Sequence, residues 1–255
     1  MRLALISDIH GNFIAFEAML HDLQAVGEVD LIWCLGDLAL GATRPAECMA
    51  KLHELQEQYG KDKFKVIGGN TDRYIVTNKR PHVPAAKDAE AFVKIKARHH
   101  EFDDIVNWTR DKLSWEDYDF LAKTLGRELR KNVAGYGTVI GYHAIPGDDE
   151  PVSLGRDSPE EEALDALLDR SGRLAIGGHT HLVMDRILGK WRAINPGSVG
   201  LSFTDINKAE WALITFEGET ATVDFRTVPY DVSAMMADMA AVDYPHPAWL
   251  RRFVK

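Results

Sequence analysis

The chain has little cysteine and no long hydrophobic run. Only Cys34 and Cys48 occur among its 255 residues, and neither belongs to a CxxC pair. This scarcity argues against a disulfide framework or a zinc ribbon and favours a reducing compartment, the cytoplasm. No stretch approaches the roughly 18 apolar residues that cross a bilayer, so we expect no membrane partner. The opening "MRLALISDIHGN" passes directly from an apolar run to charged residues, which is not the pattern of a signal peptide.

Positive charge is also in deficit. Thirty lysines and arginines stand against 39 aspartates and glutamates, which gives a formal net charge of −9. This balance argues against broad binding to nucleic acid or to anionic lipid. It does not exclude small anionic substrates, because bound metal cations can reverse the local field. Some of the acidity is local: "SPEEEALDALLDR" (158–170) predicts a helix with Ser158 as its N-cap and the glutamates near its positive end.

Apolar runs and amphipathic segments alternate through the first 70 residues. The runs at 2–7, 30–36 and 63–70 predict strands, and the segments at 12–27 and 44–60 predict helices, each ending at a glycine. Strands separated by helices of this length indicate an α/β fold with parallel neighbours in the sheet and right-handed crossovers.

The remaining chain continues this fold after an interruption. Residues 75–133 are strongly charged and predict a helical insertion without strands, which either walls a substrate cleft or packs as core. Strands are predicted again at 137–143 and 172–181, followed by a β-rich tail with turns at 189–190 and 217–219. We interpret residues 1–255 as one domain.

Polar side chains that can bind metals follow five of the apolar runs. They are Asp8 and His10, Asp37, Asn70 and Asp72, His143, and finally His179 and His181. In an open α/β sheet the carboxyl ends of the strands form the rim where ligands bind. Each residue alone is typical of a turn, a cap or a hydrogen-bonded core position. Their repetition at five strand ends predicts a site made of carboxylates, imidazoles and an amide, which suits manganese, iron, zinc, cobalt or nickel.

The spacing of the two histidines in "GGHTH" (177–181) predicts where their side chains point. Residues i and i+2 of an extended segment point the same way, so His179 and His181 are expected to face the site together, with Thr180 pointing away. The adjoining glycines, among them Gly69 and Gly178, are expected to permit close backbone approach around the ligands.

The order "DIHGN … GD … GN … H … GHTH" over residues 8–181 resembles the calcineurin-like metallophosphoesterase family. The later "INPGSVG" (194–200) and the helical insertion resemble its small bacterial phosphodiesterase and diadenosine-tetraphosphatase-like members. The resemblance implies two packed mixed β-sheets flanked by helices, with two divalent metal ions, manganese first among them, at the strand ends. It also implies two ligand sets that share Asp37: Asp8, His10, Asp37 and His181 for the first metal, and Asp37, Asn70, His143 and His179 for the second.

The implied chemistry is hydrolysis of a soluble phosphodiester or nucleoside polyphosphate, with in-line attack on phosphorus by metal-bound hydroxide. The catalytic set is then Asp8, His10, Asp37, Asn70 and Asp72, although hydrogen bonding to a loop backbone is an alternative role for Asp72. Asn12 and Arg73 are candidate contacts to substrate phosphate, and a surface salt bridge is an equal alternative for Arg73.

One position departs from the family pattern. Many members carry histidine directly after the motif asparagine, where it can protonate the leaving oxygen, whereas this chain has Thr71. Threonine is no general acid near neutral pH, so substrates with good leaving groups are favoured. The competing interpretations are a non-catalytic scaffold of the same fold that binds a partner protein, a protein phosphatase, and a nuclease, which the negative charge disfavours.

Overall fold

The computed structural model describes residues 1–205 and 207–253; residues 206 and 254–255 of the predicted domain lie outside the described residues. The strands are β1 (Arg2–Ile6), β2 (Leu31–Cys34), β3 (Phe64–Val66), β4 (Leu129–Val133), β5 (Gly137–Gly141), β6 (Leu174–Ile176), β7 (Met184–Leu188), β8 (Trp191–Asn195), β9 (Lys208–Glu217) and β10 (Thr220–Pro229). The helices are α1 (Phe13–Ala25), α2 (Pro45–Tyr59), α3 (Asn70–Thr77), α4 (Ala89–Lys112), α5 (Trp115–Thr124), α6 (Glu160–Asp165), α7 (Val232–Ala241) and α8 (Pro247–Leu250).

The strands form two mixed sheets of five. The first sheet has the order β10-β9-β1-β2-β3, in which β1, β2 and β3 are parallel and β9 runs antiparallel to β1. The second has the order β4-β5-β6-β8-β7, with β5, β6 and β8 parallel and the two outer strands antiparallel. The fold class predicted for this chain, two mixed sheets flanked by helices, is confirmed.

The alternation of side chains along β1 explains the layering. Leu3 and Leu5 pack with Trp33 and with apolar residues of the second sheet, such as Ile176, so they belong to the core between the sheets. Ala4 and Ile6 point the other way and pack with α1 and α2, so the first sheet is buried on both faces. The outer face of the second sheet carries a smaller cluster that includes Ile140 and residues of α6. A strand buried on both faces is expected to read as a continuous apolar run, which is the pattern of β1.

Several predicted boundaries agree with the structure, and three predictions were wrong. The turns at 189–190 and 217–219 join β7 to β8 and β9 to β10 as expected. The expectation of no strand in 75–133 was wrong, because β4 occupies its end and pairs with β5. The β-rich tail was also incomplete, because α7 and α8 follow β10. Ser158 does not cap α6: its hydroxyl donates to the Val152 carbonyl instead.

The topology brings the ends of the parallel strands together. The loops after β1, β2 and β3 leave the same edge of the first sheet, and the loops after β5 and β6 leave one edge of the second. Hydrogen bonds tie these loops together. The Gly178 N–H donates to the His143 carbonyl within the second sheet, and the Gly200 N–H, which follows β8, donates to the Asp8 carbonyl of the first sheet. Among the described residues, no helix has both the length and the apolar character needed to cross a bilayer.

Candidate metal centre

The seven side chains predicted as metal ligands converge at this edge. The ligand atoms of Asp8, His10, Asp37 and His181 all lie within 4.8 Å of one another, and those of Asp37, His143 and His179 form a second such group. Asp37 belongs to both groups. Asn70 lies beside the second, because its Oδ1 is 3.0 Å from both His143 Nε2 and His179 Nδ1.

The backbone at these residues is unusual. Five of the seven residues have positive φ: Asp8 (58°), His10 (52°), Asp37 (56°), His179 (67°) and His181 (56°). Non-glycine residues rarely adopt this left-handed conformation, and its cost is met only where the surrounding fold fixes the backbone. The prediction that His179 and His181 share an extended segment was therefore wrong. Both imidazoles face the site because left-handed backbone at each of the two residues aims them there, rather than through strand alternation.

In the first group, two imidazoles present nitrogen atoms to each other. Nδ1 of His10 lies 2.6 Å from the Leu40 carbonyl, and Nδ1 of His181 lies 2.7 Å from the Leu201 carbonyl. A carbonyl oxygen only accepts, so both Nδ1 atoms carry hydrogens and both Nε2 atoms have lone pairs in the neutral tautomers. These Nε2 atoms are 3.0 Å apart, and that of His181 is 3.3 Å from Asp8 Oδ1.

The second group repeats the arrangement. Nδ1 of His143 lies 2.7 Å from the Leu35 carbonyl, and Nε2 of His179 lies 2.8 Å from the Glu150 carbonyl. The opposite nitrogens therefore face inward, where both meet the Asn70 amide oxygen. His143 Nε2 is also 3.5 Å from Asp37 Oδ1.

The donor set fits cations. Imidazole lone pairs, carboxylate oxygens and an amide oxygen point at a common space and offer one another no hydrogen when the imidazoles are neutral. Such an array is stable only with positive charge inside it, either protons on the imidazoles or metal ions. A histidine that donates its outer N–H to a backbone carbonyl is the usual arrangement for a metal ligand, since that bond fixes the tautomer and the ring orientation.

The pKa shifts describe the protonated, metal-free alternative. Burial opposes charging, but the Asp37 carboxylate together with Asp8 and the hydrogen bond to the Leu35 carbonyl outweighs it and raises the pKa of His143 to about 10. Asp8, together with Asp37 and the hydrogen bond to the Leu201 carbonyl, likewise outweighs burial and raises the pKa of His181. Burial and His181 together lower the pKa of His10. Metal ions must displace the protons held by His143 and His181, so metal affinity falls as the pH falls.

Asp72 holds the backbone of the loops that carry two of the ligands. It is fully buried, and its carboxylate accepts hydrogen bonds from the backbone N–H groups of Asp37 (2.9 Å), Leu38 (3.0 Å) and Gly69 (2.9 Å). Burial and the charge of Asp37 raise the pKa of Asp72 to about 7. Asp72 therefore holds the loops that carry Asp37 and Asn70, which is the loop-bonding role considered from the sequence.

Two glycines make room for the ligands. A Cβ on Gly69 would overlap Asp37 Oδ1 and lie 2.6 Å from His143 Cε1. A Cβ on Gly178 would overlap the Ser7 hydroxyl and lie 2.7 Å from Asp8 Oδ2. The close approach expected of these glycines is present at both positions.

The two predicted substrate contacts are both engaged by the protein itself. Asn12 is buried; its Oδ1 accepts from the Ala15 N–H as the N-cap of α1, and its Nδ2 donates to the Gly200 carbonyl. Arg73 donates from both Nε and one terminal nitrogen to Asp149, with Glu150 3.3 Å away. The salt-bridge alternative is thus the one seen for Arg73. Substrate contact by either residue stays a prediction.

Two residues that were not predicted from the sequence, Asn195 and Ser198, hold the ligand loops. Nδ2 of Asn195 donates to the Gly178 carbonyl (2.6 Å) and to Thr180 Oγ1 (3.1 Å). The Ser198 hydroxyl donates to the Asp8 carbonyl (2.8 Å). Their signal was the "INPGSVG" segment, whose polar residues lie at the end of β8 and just after it, much as the ligands follow other strands. Thr180 points toward Asn195, which gives it a hydrogen-bonding role behind the site.

Thr71 stands beside the second group without a visible partner for its side chain. Its backbone N–H donates to Asp37 Oδ1 (2.9 Å), while its hydroxyl oxygen is buried and has no hydrogen-bond partner among the described residues. Thr71 therefore helps to position the Asp37 side chain through its backbone N–H.

Comparison with known proteins agrees with this geometry. A family model described as the calcineurin-like phosphoesterase superfamily domain matches residues 1–219. The chain belongs to the calcineurin-like phosphoesterase superfamily. The matched residues include both strand systems that carry the ligands, from Asp8 to His181.

The individual proteins that match the chain are distant from it in sequence. It is 25% identical over 247 residues to an uncharacterised protein of Methanocaldococcus jannaschii, covering 90% of this chain and 88% of that protein. A metallophosphoesterase from Sphaerobacter thermophilus shares the fold with a TM-score of 0.69 and 24% identity, covering 99% of this chain and 98% of that one. A hypothetical protein from Pyrococcus horikoshii superposes with a TM-score of 0.80 at 21% identity, covering 99% and 97%.

Proposed function

We propose that the protein is a dinuclear metal-dependent phosphohydrolase that acts on a soluble phosphodiester or nucleoside polyphosphate. One observation carries the proposal: two groups of buried metal-ligand side chains lie side by side and share Asp37. A shared carboxylate is the arrangement that sets two cations a few ångströms apart. Two-metal phosphoesterases use cations about 3.5–4 Å apart.

The ligand sets follow from the groups. Asp8, His10, Asp37 and His181 would hold one cation, and Asp37, Asn70, His143 and His179 the other. We propose manganese as the metal, with iron, zinc, nickel and cobalt as the alternatives that metal analysis distinguishes. Two such cations, when bound, stabilise negative charge on a phosphoryl group and lower the pKa of a water molecule that attacks phosphorus.

The protein's own residues fix this centre and limit its substrates. The four imidazoles are oriented by backbone carbonyls, and Asp72 fixes the backbone of Asp37. Thr71 supplies no proton to a leaving oxygen near neutral pH. We therefore propose esters and anhydrides whose leaving groups need little protonation, such as activated phosphodiesters and nucleoside polyphosphates, in preference to phosphoprotein substrates. The two cysteines are free and buried, as suits a cytoplasmic enzyme.

Metal analysis followed by assay tests the proposal. The purified protein should contain or take up about two divalent ions per chain, as expected for a two-metal site, and should hydrolyse at least one model substrate with added manganese. The panel is a phosphomonoester, a phosphodiester and a dinucleoside polyphosphate. The scaffold alternative predicts folded protein without turnover on any of the three, and that result would overturn the proposed function.

A further inference from the structure

A large cavity opens beside the second ligand group. Its volume is about 740 Å³, and the buried residues Gly68 and His143 are among those that line it. The segment 79–82, which follows α3, and the segment 125–128, which follows α5, form two of its walls. The helical insertion therefore contributes to a cleft that leads to the candidate metal centre. A cavity of this size holds a nucleotide-sized ligand, since small-molecule pockets span roughly 300–1,000 Å³.

Four long cationic side chains line this cavity, and two of them are already committed. Arg73 is held by Asp149 at 2.7 Å, and Arg80 is held by Asp103. Lys79 and Arg127 also line the cavity. Within the part of the chain that the structure describes, neither of these two side chains has a carboxylate oxygen within 4.0 Å.

Within the part of the chain that the structure describes, none of the four carboxylates that line the cavity forms an ion pair with Lys79 or Arg127. Asp149 and Glu150 are paired with Arg73, and Glu128 is paired with Arg170 at 2.9 Å. Asp148 accepts the Glu150 backbone N–H at 3.1 Å. In a chain of net charge −9, two unpaired cations on the walls of one cleft are a local feature rather than part of a generally basic surface.

We propose that Lys79 and Arg127 bind a second phosphate group of the substrate, remote from the phosphorus that reacts. This inference rests on the proposed function and narrows its substrates to molecules that carry at least two phosphates. Guanidinium and ammonium groups are the usual protein partners of phosphate, and a guanidinium can bind two of its oxygens at once. Since His143 lines the cavity, the second phosphate would lie on the side of the ligand group that contains His143 and His179.

A matched pair of substrates tests the proposal. Thymidine 5′-(p-nitrophenyl phosphate) and its 3′-phosphorylated form differ only by one remote phosphate, and both release p-nitrophenol. The wild-type protein, with manganese, should have at least a tenfold higher kcat/KM for the 3′-phosphorylated form. In the Lys79→Ala/Arg127→Ala variant, the ratio of the two kcat/KM values should fall by about tenfold or more. This is the change expected when a charge-assisted hydrogen bond is removed.

The Lys61→Ala/Arg251→Ala variant is the matched control, because it removes one lysine and one arginine that do not line the cavity. It should keep the wild-type ratio. Equal kcat/KM for the two substrates in the wild-type protein, or a ratio that survives in the Lys79→Ala/Arg127→Ala variant, would overturn the proposal.

A binding measurement separates this inference from the proposed function. Calorimetric titration of the EDTA-treated protein with tripolyphosphate at low salt needs neither metal nor turnover. Binding by the wild-type protein that weakens by about tenfold in the Lys79→Ala/Arg127→Ala variant supports the subsite, even if no substrate is hydrolysed. Equal binding by the two proteins, or no binding by either, counts against it.

Discussion

At the scale of single residues, the candidate centre combines strained backbone with acceptors that lack a hydrogen. Five of its residues have left-handed φ, and all four imidazoles turn a lone pair inward when neutral. Either feature alone would raise the free energy of the folded chain. Together they indicate that the fold over-determines the positions of these side chains, as is typical of sites selected for binding rather than for stability.

Asp37→Asn tests the shared ligand. Asparagine keeps the shape of the side chain, but it replaces the negative charge and one acceptor oxygen between the two groups. We expect metal content to fall and turnover to drop by about 100-fold or more, because both cations lose a ligand. Metal analysis, a manganese-dependent assay and circular dichroism measure these effects.

Asp62→Asn is the control for that variant, since Asp62 is exposed and belongs to neither ligand group. It should match the wild-type protein in all three measurements. Near-normal turnover of Asp37→Asn would exclude Asp37 as the shared ligand.

The sequence predicted which residues meet but not how their backbones bring them together. Ligand chemistry shows in residue types, so Asp8, His143 and His181 could be singled out from their positions after apolar runs. Left-handed φ at an aspartate or a histidine has no sequence signal, because it depends on contacts far along the chain, such as the one between His179 N–H and Asp8. The partner of Arg73 was hidden for the same reason: Asp149 is 76 positions away.

At the scale of elements, short loops do most of the positioning. The junction of β3 and α3 places Gly69, Asn70 and Asp72 within four residues: Gly69 is the N-cap of α3, and the helix begins at Asn70 itself. This places the ligand in the first turn of a helix whose N-cap N–H is held by Asp72. α3 therefore begins at the site itself, with the ligand Asn70 as its first residue.

Gly69→Ala probes the crowding in that turn. The φ of Gly69 is −109°, so alanine introduces little backbone strain, and its effect comes from the overlap of Cβ with Asp37 and the near contact with His143. We expect metal affinity to fall by about tenfold or more, as measured by calorimetric titration with manganese.

Gly60→Ala is the control for Gly69→Ala, because it introduces backbone strain without crowding. Gly60 has open space around a Cβ, but its φ of 77° and ψ of 153° lie in a region that essentially only glycine adopts. The Gly60→Ala variant should therefore lose about 1–3 kcal/mol of unfolding free energy and keep its metal affinity. Unchanged manganese binding by Gly69→Ala would show that the close packing of this turn is unimportant for the ligands.

Elements with strong apolar periodicity were predictable, and amphipathic edge elements were not. β4 was missed because three of its five residues are exposed and charged or polar, so "LRKNV" has the composition of a loop or a helix. Its identity as a strand comes from pairing with β5 at one edge of the second sheet. Charged residues on an edge strand discourage pairing with other chains, which explains the composition that concealed it.

At the scale of the whole molecule, a buried carboxyl group links stability to pH. Glu210 on β9 is 1% exposed, and its Oε2 has no hydrogen-bond partner among the described residues. Burial raises the pKa of Glu210 to about 7, against the hydrogen bonds from Ser202 and Ser198. The folded state therefore favours the protonated carboxyl group.

The raised pKa of Glu210 determines how its contribution to stability changes with pH. Because the pKa in the folded state exceeds the ordinary value of 4.5, the contribution to stability is complete below pH 4.5 and is lost as the pH rises through about 7. Glu210→Gln mimics the protonated form. We expect it to gain about 1–3 kcal/mol of unfolding free energy relative to wild type between pH 5 and pH 8.

Urea unfolding of both proteins in EDTA at the two pH values measures that difference. Glu219→Gln, on the exposed turn between β9 and β10, should show no such gain. A difference between Glu210→Gln and wild type that stays constant from pH 5 to pH 8 would contradict the assignment.

The arrangement of β1 has a consequence for biosynthesis. This first strand pairs on one side with β2 and on the other with β9, which begins at Lys208, and the Asp8 carbonyl accepts a hydrogen bond from Ser198. A chain emerging from the ribosome therefore holds an incomplete first sheet, with one edge of β1 unpaired, until more than 200 residues have been translated. His181 and its supporting loop also come late. Neither ligand group is complete before His179 and His181 have been made, so we expect metal ions to bind only after most of the chain has been translated.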